Sequence, residues 1–389
     1  MRKATILLAC SAIACMAIVA GCSKGTFGYG GKAIQFTTAS GEVPSTKTVY
    51  GKVPEGSTKQ AINWVKGDVV TIASPQAPVQ NDNSENPAHI ANYVVSTVKT
   101  EGVPSTASVV NEGDNGLMWS DDETIKSYDF FAVYPKVGNS ISLTPAGAVG
   151  ATIPASQPLN GTASDKPVTT GEGESAVTIT YKEYKPDMNF AFMTAATKGV
   201  APTEEPASVK LEFNPAFTAF EFNVSSADED PIELTGFEIL SPNDGKTLNR
   251  NDKLAGAFTM TAGDLSTVAV AGDATQSITV DMSGASQTVT GETGLTFTVF
   301  ALPVKNTDAL RIRFTSKEGD NDSKTSWLDL KYSDDAEKAG TNAGKPLQFE
   351  AGHKYRINML KLPSSQWKIS ILPVFDEWVD AKEEVIIYI

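Results

Sequence analysis

The stretch Trp367-Lys368-Ile369-Ser370-Ile371-Leu372-Pro373-Val374-Phe375 puts Trp367, Ile369, Ile371, Pro373 and Phe375 on one parity, with Lys368 and Ser370 opposite. A period of two is the mark of a half-buried β-strand. Farther on, Glu383-Glu384-Val385-Ile386-Ile387-Tyr388-Ile389 places Val385, Ile387 and Ile389 on one face and Ile386 and Tyr388 on the other. A strand apolar on both faces needs cover on both sides. At the end of this sequence, that cover is expected from a slot left by an earlier strand or from another molecule.

The same alternation recurs along the chain. Residues 33–38 read as a short strand with Ile34 and Phe36 inward, and 62–72 as strand, Gly67-Asp68 turn, strand. Further strands are expected at 93–98, 105–110, 127–134 (ending at Pro135), 177–181 and 188–195. After a polar segment at 197–207 with Pro202 and Pro206, the pattern resumes at 209–224, broken at Asn214-Pro215. It continues at 232–240, 256–260, 277–282, 295–304, 310–315, 327–332 and 355–360. Long helical patterns are absent, and turn residues separate the short apolar runs. The fold class is therefore all-β, read as two tandem β-sandwich domains. Boundaries are expected at 1–22 for a leader, 23–200 for the first domain and 206–389 for the second.

The chain has 389 residues, of which 41% are apolar, enough for real cores. Its net charge is 32 − 46 = −14, which repels nucleic acid and anionic lipid surfaces. Arg2 and Lys3 precede an apolar run at 4–20, short and Ala-rich for a membrane span, so 1–22 reads as a targeting segment. It ends in Val19-Ala20-Gly21-Cys22, which resembles the lipobox of bacterial lipoproteins with Val in place of the first Leu. That resemblance implies a lipid on the sulfur of Cys22. Cys10, Cys15 and Cys22 are the only cysteines, so the remainder has no disulfide, thiolate metal site or Cys nucleophile. A Gly-rich spacer at 23–32 follows. The polar loop at 40–58 carries Gly41, Pro44, Gly51, Pro54 and Gly56.

No residue pattern announces an active site. His89 and His353 lie far apart without His or Cys neighbours at zinc spacing. Gly245-Lys246-Thr247 lacks the first glycine of a phosphate loop, and Gly28, Gly30 and Gly31 follow no strand. Asp121-Asp122-Glu123 and Asp320-Asn321-Asp322 do not match an EF-hand and read as solvated turns. No Gly-x-Ser-x-Gly elbow occurs. Trp64, Trp119, Trp327, Trp367 and Trp378 could stack on sugar rings; Trp327 and Trp367 sit within alternating patterns that favour core or rim packing, and an exposed Trp serving an adhesin stays open. The expectation is a non-enzymatic protein with no cofactor and no metal.

Six segments carry a resemblance. They are Trp64 with Gly67-Asp68, Phe130-Phe131-Ala132-Val133-Tyr134-Pro135, Ile153-Pro154-Ala155-Ser156-Gln157, Asp187-Met188-Asn189-Phe190-Ala191, Leu211-Glu212-Phe213 before Ala219-Phe220-Glu221-Phe222, and Ala351-Gly352-His353-Lys354-Tyr355. In this order they resemble the fimbrillin family of Bacteroidetes-type fimbriae, over nearly all the chain after the leader. The resemblance implies two tandem sandwiches of transthyretin-like fimbrillin architecture and export as an outer-membrane lipoprotein. It also implies polymerisation by strand donation after proteolytic removal of an N-terminal segment. Its cleavage is trypsin-like and often follows Arg, but no Arg lies between Arg2 and Arg250. Lys47 is then the first expected site and Lys52 the second. Val385, Ile387 and Ile389 are the favoured anchors of the donated strand, and Ile369, Ile371 and Phe375 are the other run with suitable spacing. The partners would be other copies of the chain, related fimbrial subunits, and the membrane through the lipid. The alternative is a monomeric surface lipoprotein, an adhesin or fimbrial tip binding a host or glycan ligand.

Overall fold

The computed structural model describes residues 31–40, 49–50, 62–80, 82, 88–100, 105–159, 163–170, 177–203, 208–227, 230–242, 252–283, 287–303, 306, 308–332, 340–363, 367–373 and 387–388. The regular structure among them is strand, apart from short 3-10 turns such as Met188–Phe190 and Gly340–Asn342, with turns and irregular segments between.

The first strands are β1 (Gln35–Ser40), β2 (Val49–Tyr50), β3 (Ile62–Asn63), β4 (Val69–Ala73), β5 (Ile90–Thr100), β6 (Thr106–Asn111) and β7 (Tyr128–Tyr134). Next come β8 (Ile141–Leu143), β9 (Ala148–Ile153), β10 (Ser156–Pro158), β11 (Ser164–Thr170), β12 (Val177–Glu183) and β13 (Met193–Val200). They are followed by β14 (Ser208–Pro215), β15 (Thr218–Ser226), β16 (Ile232–Leu240), β17 (Gly256–Thr261), β18 (Asp264–Val270), β19 (Ser277–Asp281) and β20 (Thr288–Val289). The last are β21 (Thr293–Ala301), β22 (Arg311–Glu318), β23 (Lys324–Asp329), β24 (Lys354–Lys361), β25 (Trp367–Pro373) and β26 (Ile387–Tyr388).

One sheet closes on itself in the order β1-β14-β13-β7-β4-β5-β6. The sequence reading expected a β-sandwich here. Closure pairs every member on both sides and leaves no exposed edge. A second sheet runs β10-β19-β16-β22-β23, with β20 also on β16, and a third runs β11-β12-β21-β15-β24-β25-β26. A fourth has the order β18-β17-β9-β8, and β2 and β3 form a small ribbon.

Sheet membership departs from chain order. β9 pairs with β17, β10 with β19 and β12 with β21, while β14 returns to the closed sheet beside β13. Thr197–Val200, expected in a linker, extend β13 along β7 across a bulge at Gly199. Residues 188–190, expected as strand, form a turn because the Asp187 carboxylate accepts the Asn189 N–H at 3.0 Å.

Side-chain alternation explains which faces turn inward. In β14, Val209, Leu211, Phe213 and Pro215 are buried, and Ser208, Lys210, Glu212 and Asn214 are exposed. β15 lies between β21 and β24 and is buried at nearly every position, as a central strand must be. Gly147 sits at φ +83° with the Phe131 ring across it, where an added Cβ would come within 2.4 Å of that ring. Only glycine fits this turn between β8 and β9. The buried apolar residues form one cluster that runs from Ile34 to Ile369.

Candidate functional site

β1 is the strand that closes the first sheet. It lies parallel to β14 from Gln35↔Ser208 to Ser40↔Phe213 and antiparallel to β6 from Phe36↔Val109 to Ala39↔Thr106. Ile34 and Phe36 point inward, as their parity predicts. The Phe36 ring meets Tyr93 at 5.0 Å and Phe130 at 5.3 Å, both edge-on. Just ahead of β1, the Ile34 N–H donates to Leu117 O at 2.9 Å, and Ala33 bridges to Met118. Without β1, strands β6 and β14 would face each other unpaired across two strand spacings, roughly 9.6 Å. Their N–H and C=O groups would need a new partner.

One feature of β1 fits its slot poorly. Thr38 is buried, yet its Oγ1 has no hydrogen-bond partner among the described residues. An orphaned buried hydroxyl costs roughly 1–3 kcal/mol. At the β1 entry, a cavity of about 220 Å³ opens between Trp119, Val200, Thr203, Ser208, Val209 and Lys210. At the far end, Trp64 packs edge-on against Tyr134 and Phe213, with centroids 5.4 and 5.2 Å away. The Tyr134 hydroxyl donates to Asp68 Oδ1 at 3.1 Å, and Asp68 Oδ2 accepts the Val65 N–H at 2.8 Å. Trp64, Asp68, Tyr134 and Phe213, spread along the sequence, thus form one cluster, joined to the end of β1 where Phe213 lies opposite Ser40.

The other resemblance-bearing residues also have structural duties. The Gln157 amide mimics a strand, donating to Phe300 O at 2.6 Å and accepting the Phe300 N–H at 2.9 Å. Gly352, at φ +78°, turns the chain into β24, and its N–H donates to Phe217 O. Glu221 and Lys354 make a buried ion pair, with Lys354 Nζ 2.6 Å from the carboxylate and Arg356 Nε 2.5 Å from its other oxygen. Burial alone would push the Glu221 carboxyl up. The charges of Lys354 and Arg356 and their hydrogen bonds outweigh that and hold it at about 2. Burial pulls the Lys354 ammonium down to about 8, against the attraction of Glu221. Sequence reading missed this pair; its signal was a lone Glu in the apolar run Ala219-Phe220-Glu221-Phe222.

The tail lies beside its own sheet. β25 pairs antiparallel with β24 over Tyr355↔Pro373 to Lys361↔Trp367, and Trp367 and Ile369 are buried. Ile387 falls in β26, opposite Ile369, with Tyr388 opposite Lys368. Cys22, Lys47, Lys52, Trp378, Val385, Ile389 and Gly245-Lys246-Thr247 lie outside the described residues. His89 Nδ1 lies 2.9 Å from Ala77 O, and His353 Nδ1 lies 2.9 Å from Ala351 O. Asp122 Oδ1 accepts the Thr124 N–H and hydroxyl, a capped turn. Among the described residues no group of three or more His, Cys, Asp or Glu is placed to hold a metal ion.

No family model and no curated protein matches the chain. Among solved structures, it is similar to fimbrial and cell-adhesion proteins. A candidate cell adhesion protein from Bacteroides uniformis is 14% identical at a TM-score of 0.46, over 89% of this chain and 98% of that one. A fimbrial assembly protein from Parabacteroides distasonis is 11% identical at a TM-score of 0.38, over 92% and 99%. The tip fimbrial protein Mfa3 from Porphyromonas gingivalis, with a C-terminal truncation, is 10% identical at a TM-score of 0.35, over 87% and 99%. These are the kinds of protein that the sequence resemblance named. At such TM-scores the likeness carries no weight for function, so the case for function rests on this chain's own residues.

Proposed function

We propose that this chain is a structural subunit of a cell-surface fimbria, exported as a lipoprotein and polymerised by strand donation. The observation that carries the reading is the seat of β1. This short strand pairs on both sides, and its Phe36, with Ile34 just ahead of it, fills an apolar slot. Cleavage in the loop after it, at Lys47 or failing that at Lys52, would cut β1 from the rest of the chain. A strand from another copy would then restore the ladder, its alternate side chains filling the vacated pockets. Val385, Ile387 and Ile389 have the i, i+2, i+4 spacing this requires. Each buried aliphatic side chain contributes about 1.5–3 kcal/mol before ordering costs.

In this proposal β26 has a resting place beside β25 in the single chain and leaves it on assembly. β25, with Trp367 and Ile369 buried, stays with its own sheet. The division at 197–207 into two sandwich units, 23–200 and 206–389, belongs to the same proposal. Strands β8 to β12 then cross to sheets of the second unit, and β14 crosses back. The lipid on Cys22 would hold the precursor at the outer membrane until cleavage.

Deleting 385–389 tests the donor assignment. The expected product is a folded, protease-resistant subunit that no longer forms polymers. Unfolding of the deleted chain would place the segment within its own sheet, and continued polymer growth would place the donor elsewhere. Cys22→Ala tests the anchor. The variant should leave the detergent phase or stall in processing, and normal partitioning with normal processing would contradict lipidation.

A further inference from the structure

We propose that the outward face of β22 and β23 is a binding platform for a neutral pyranose sugar, with the Trp327 indole as its floor. Of the four large apolar side chains most exposed among the described residues, Trp327 is the largest and the most exposed, at 59%. Its ring makes no aromatic or cation contact among the described residues, whereas Trp64, Trp119 and Trp367 all pack edge-on against other rings. It stands on an edge strand in a fixed register, directly opposite Arg313.

The neighbours on that face frame the indole in a defined way. On one side Thr315 lies opposite Thr325, their hydroxyls 3.0 Å apart. On the other, Arg311 lies opposite Asp329, with Nε and an outer nitrogen of the guanidinium on the two carboxylate oxygens at 2.5 and 3.0 Å. Next to the indole, Arg313 is half exposed and is paired with Glu238, directly opposite it on the neighbouring strand β16. Ile312, Phe314 and Leu328 point the other way and are buried, so this parity is fixed by the core. Same-face neighbours along a strand are about 7 Å apart, and cross-strand neighbours about 5 Å. The indole therefore has hydroxyls, a guanidinium and a carboxylate within one sugar ring's reach on its sides.

That arrangement selects the class of ligand. Protein-binding surfaces present a contiguous apolar patch of a few hundred Å². Here a single ring is bounded by charged and hydroxyl groups, which a flat apolar partner would leave unsatisfied. A pyranose has an apolar C–H face for stacking and a rim of hydroxyls that donate and accept. Both arginines are already neutralised by Asp329 and Glu238, which favours a neutral sugar over an acidic one. This inference is independent of subunit polymerisation, and each can fail without the other.

The test is a microarray of neutral oligosaccharides with sialylated and sulfated counterparts, probed with the full chain lacking residues 1–22. Binding of at least one neutral glycan is expected, weakened about tenfold or more by Trp327→Ala and less by Trp327→Tyr. The urea midpoint of Trp327→Ala should match the parent, since the ring is exposed. No glycan bound by the parent chain would overturn the proposal, as would binding untouched by Trp327→Ala or seen only for acidic glycans. A change in oligomeric state with Trp327→Ala, without loss of glycan binding, would assign the face to a protein partner and also overturn it.

Discussion

At the scale of single residues, buried Glu221 and Lys354, with half-buried Arg356 beside them, make stability depend on pH. The Glu221 carboxyl, held at about 2 against an ordinary 4.5, binds fewer protons folded than unfolded between those values. Its stabilisation is complete above about pH 4.5 and is lost as pH falls through about 2. Glu221→Gln leaves Lys354 buried without its counter-charge and should destabilise by about 3–5 kcal/mol at neutral pH. The gap between variant and parent should close as pH falls toward 2, where the parent carboxyl is itself protonated. Urea midpoints across that range decide it; a constant gap would mean that the pair contributes by packing alone. Thr38 gives an opposite case, a buried hydroxyl without a partner. Thr38→Val keeps the branched shape and removes the orphan, so the intact chain should gain up to about 1–3 kcal/mol. A loss of stability would show that the hydroxyl is satisfied in solution.

At the scale of elements, much of the strand pattern could be read from the sequence, because period-two alternation reports directly which face meets the core. β14, with four alternate side chains buried, is the clearest instance, and Phe36 in β1 and Ile34 just ahead of it turn inward for the same reason. Partners were another matter. Nothing in residues 148–158 says that they will pair with β17 and β19, over a hundred residues on. Strand pairing is a long-range choice made by the whole core, and one sequence carries no record of it. β23 came out at Lys324–Asp329, shifted from the expected 327–332, because Leu328 alone faces the core and the alternation around it is weak. The site residues were legible only as apolar spacing. Trp64, Asp68, Tyr134 and Phe213 are scattered along the sequence, and only folding brings them together.

At the scale of the whole molecule, the closed sheet is the physical basis of the proposed strand donation. With β1 in place the barrel presents no free edge; without it, β6 and β14 become two edges flanking an apolar groove. The orphaned Thr38 hydroxyl makes the resident strand an imperfect fit, so a better strand could replace it. The net charge of −14 works against chance association between copies of the chain at low salt. The measurement that bears most directly on this account is the N-terminal sequence of the polymer taken from the cell surface. The account predicts a start after Lys47, or failing that after Lys52, with residues 35–40 missing from the mature subunit. A polymer whose subunits all begin at a lipid-bearing Cys22, with β1 still attached, would contradict it.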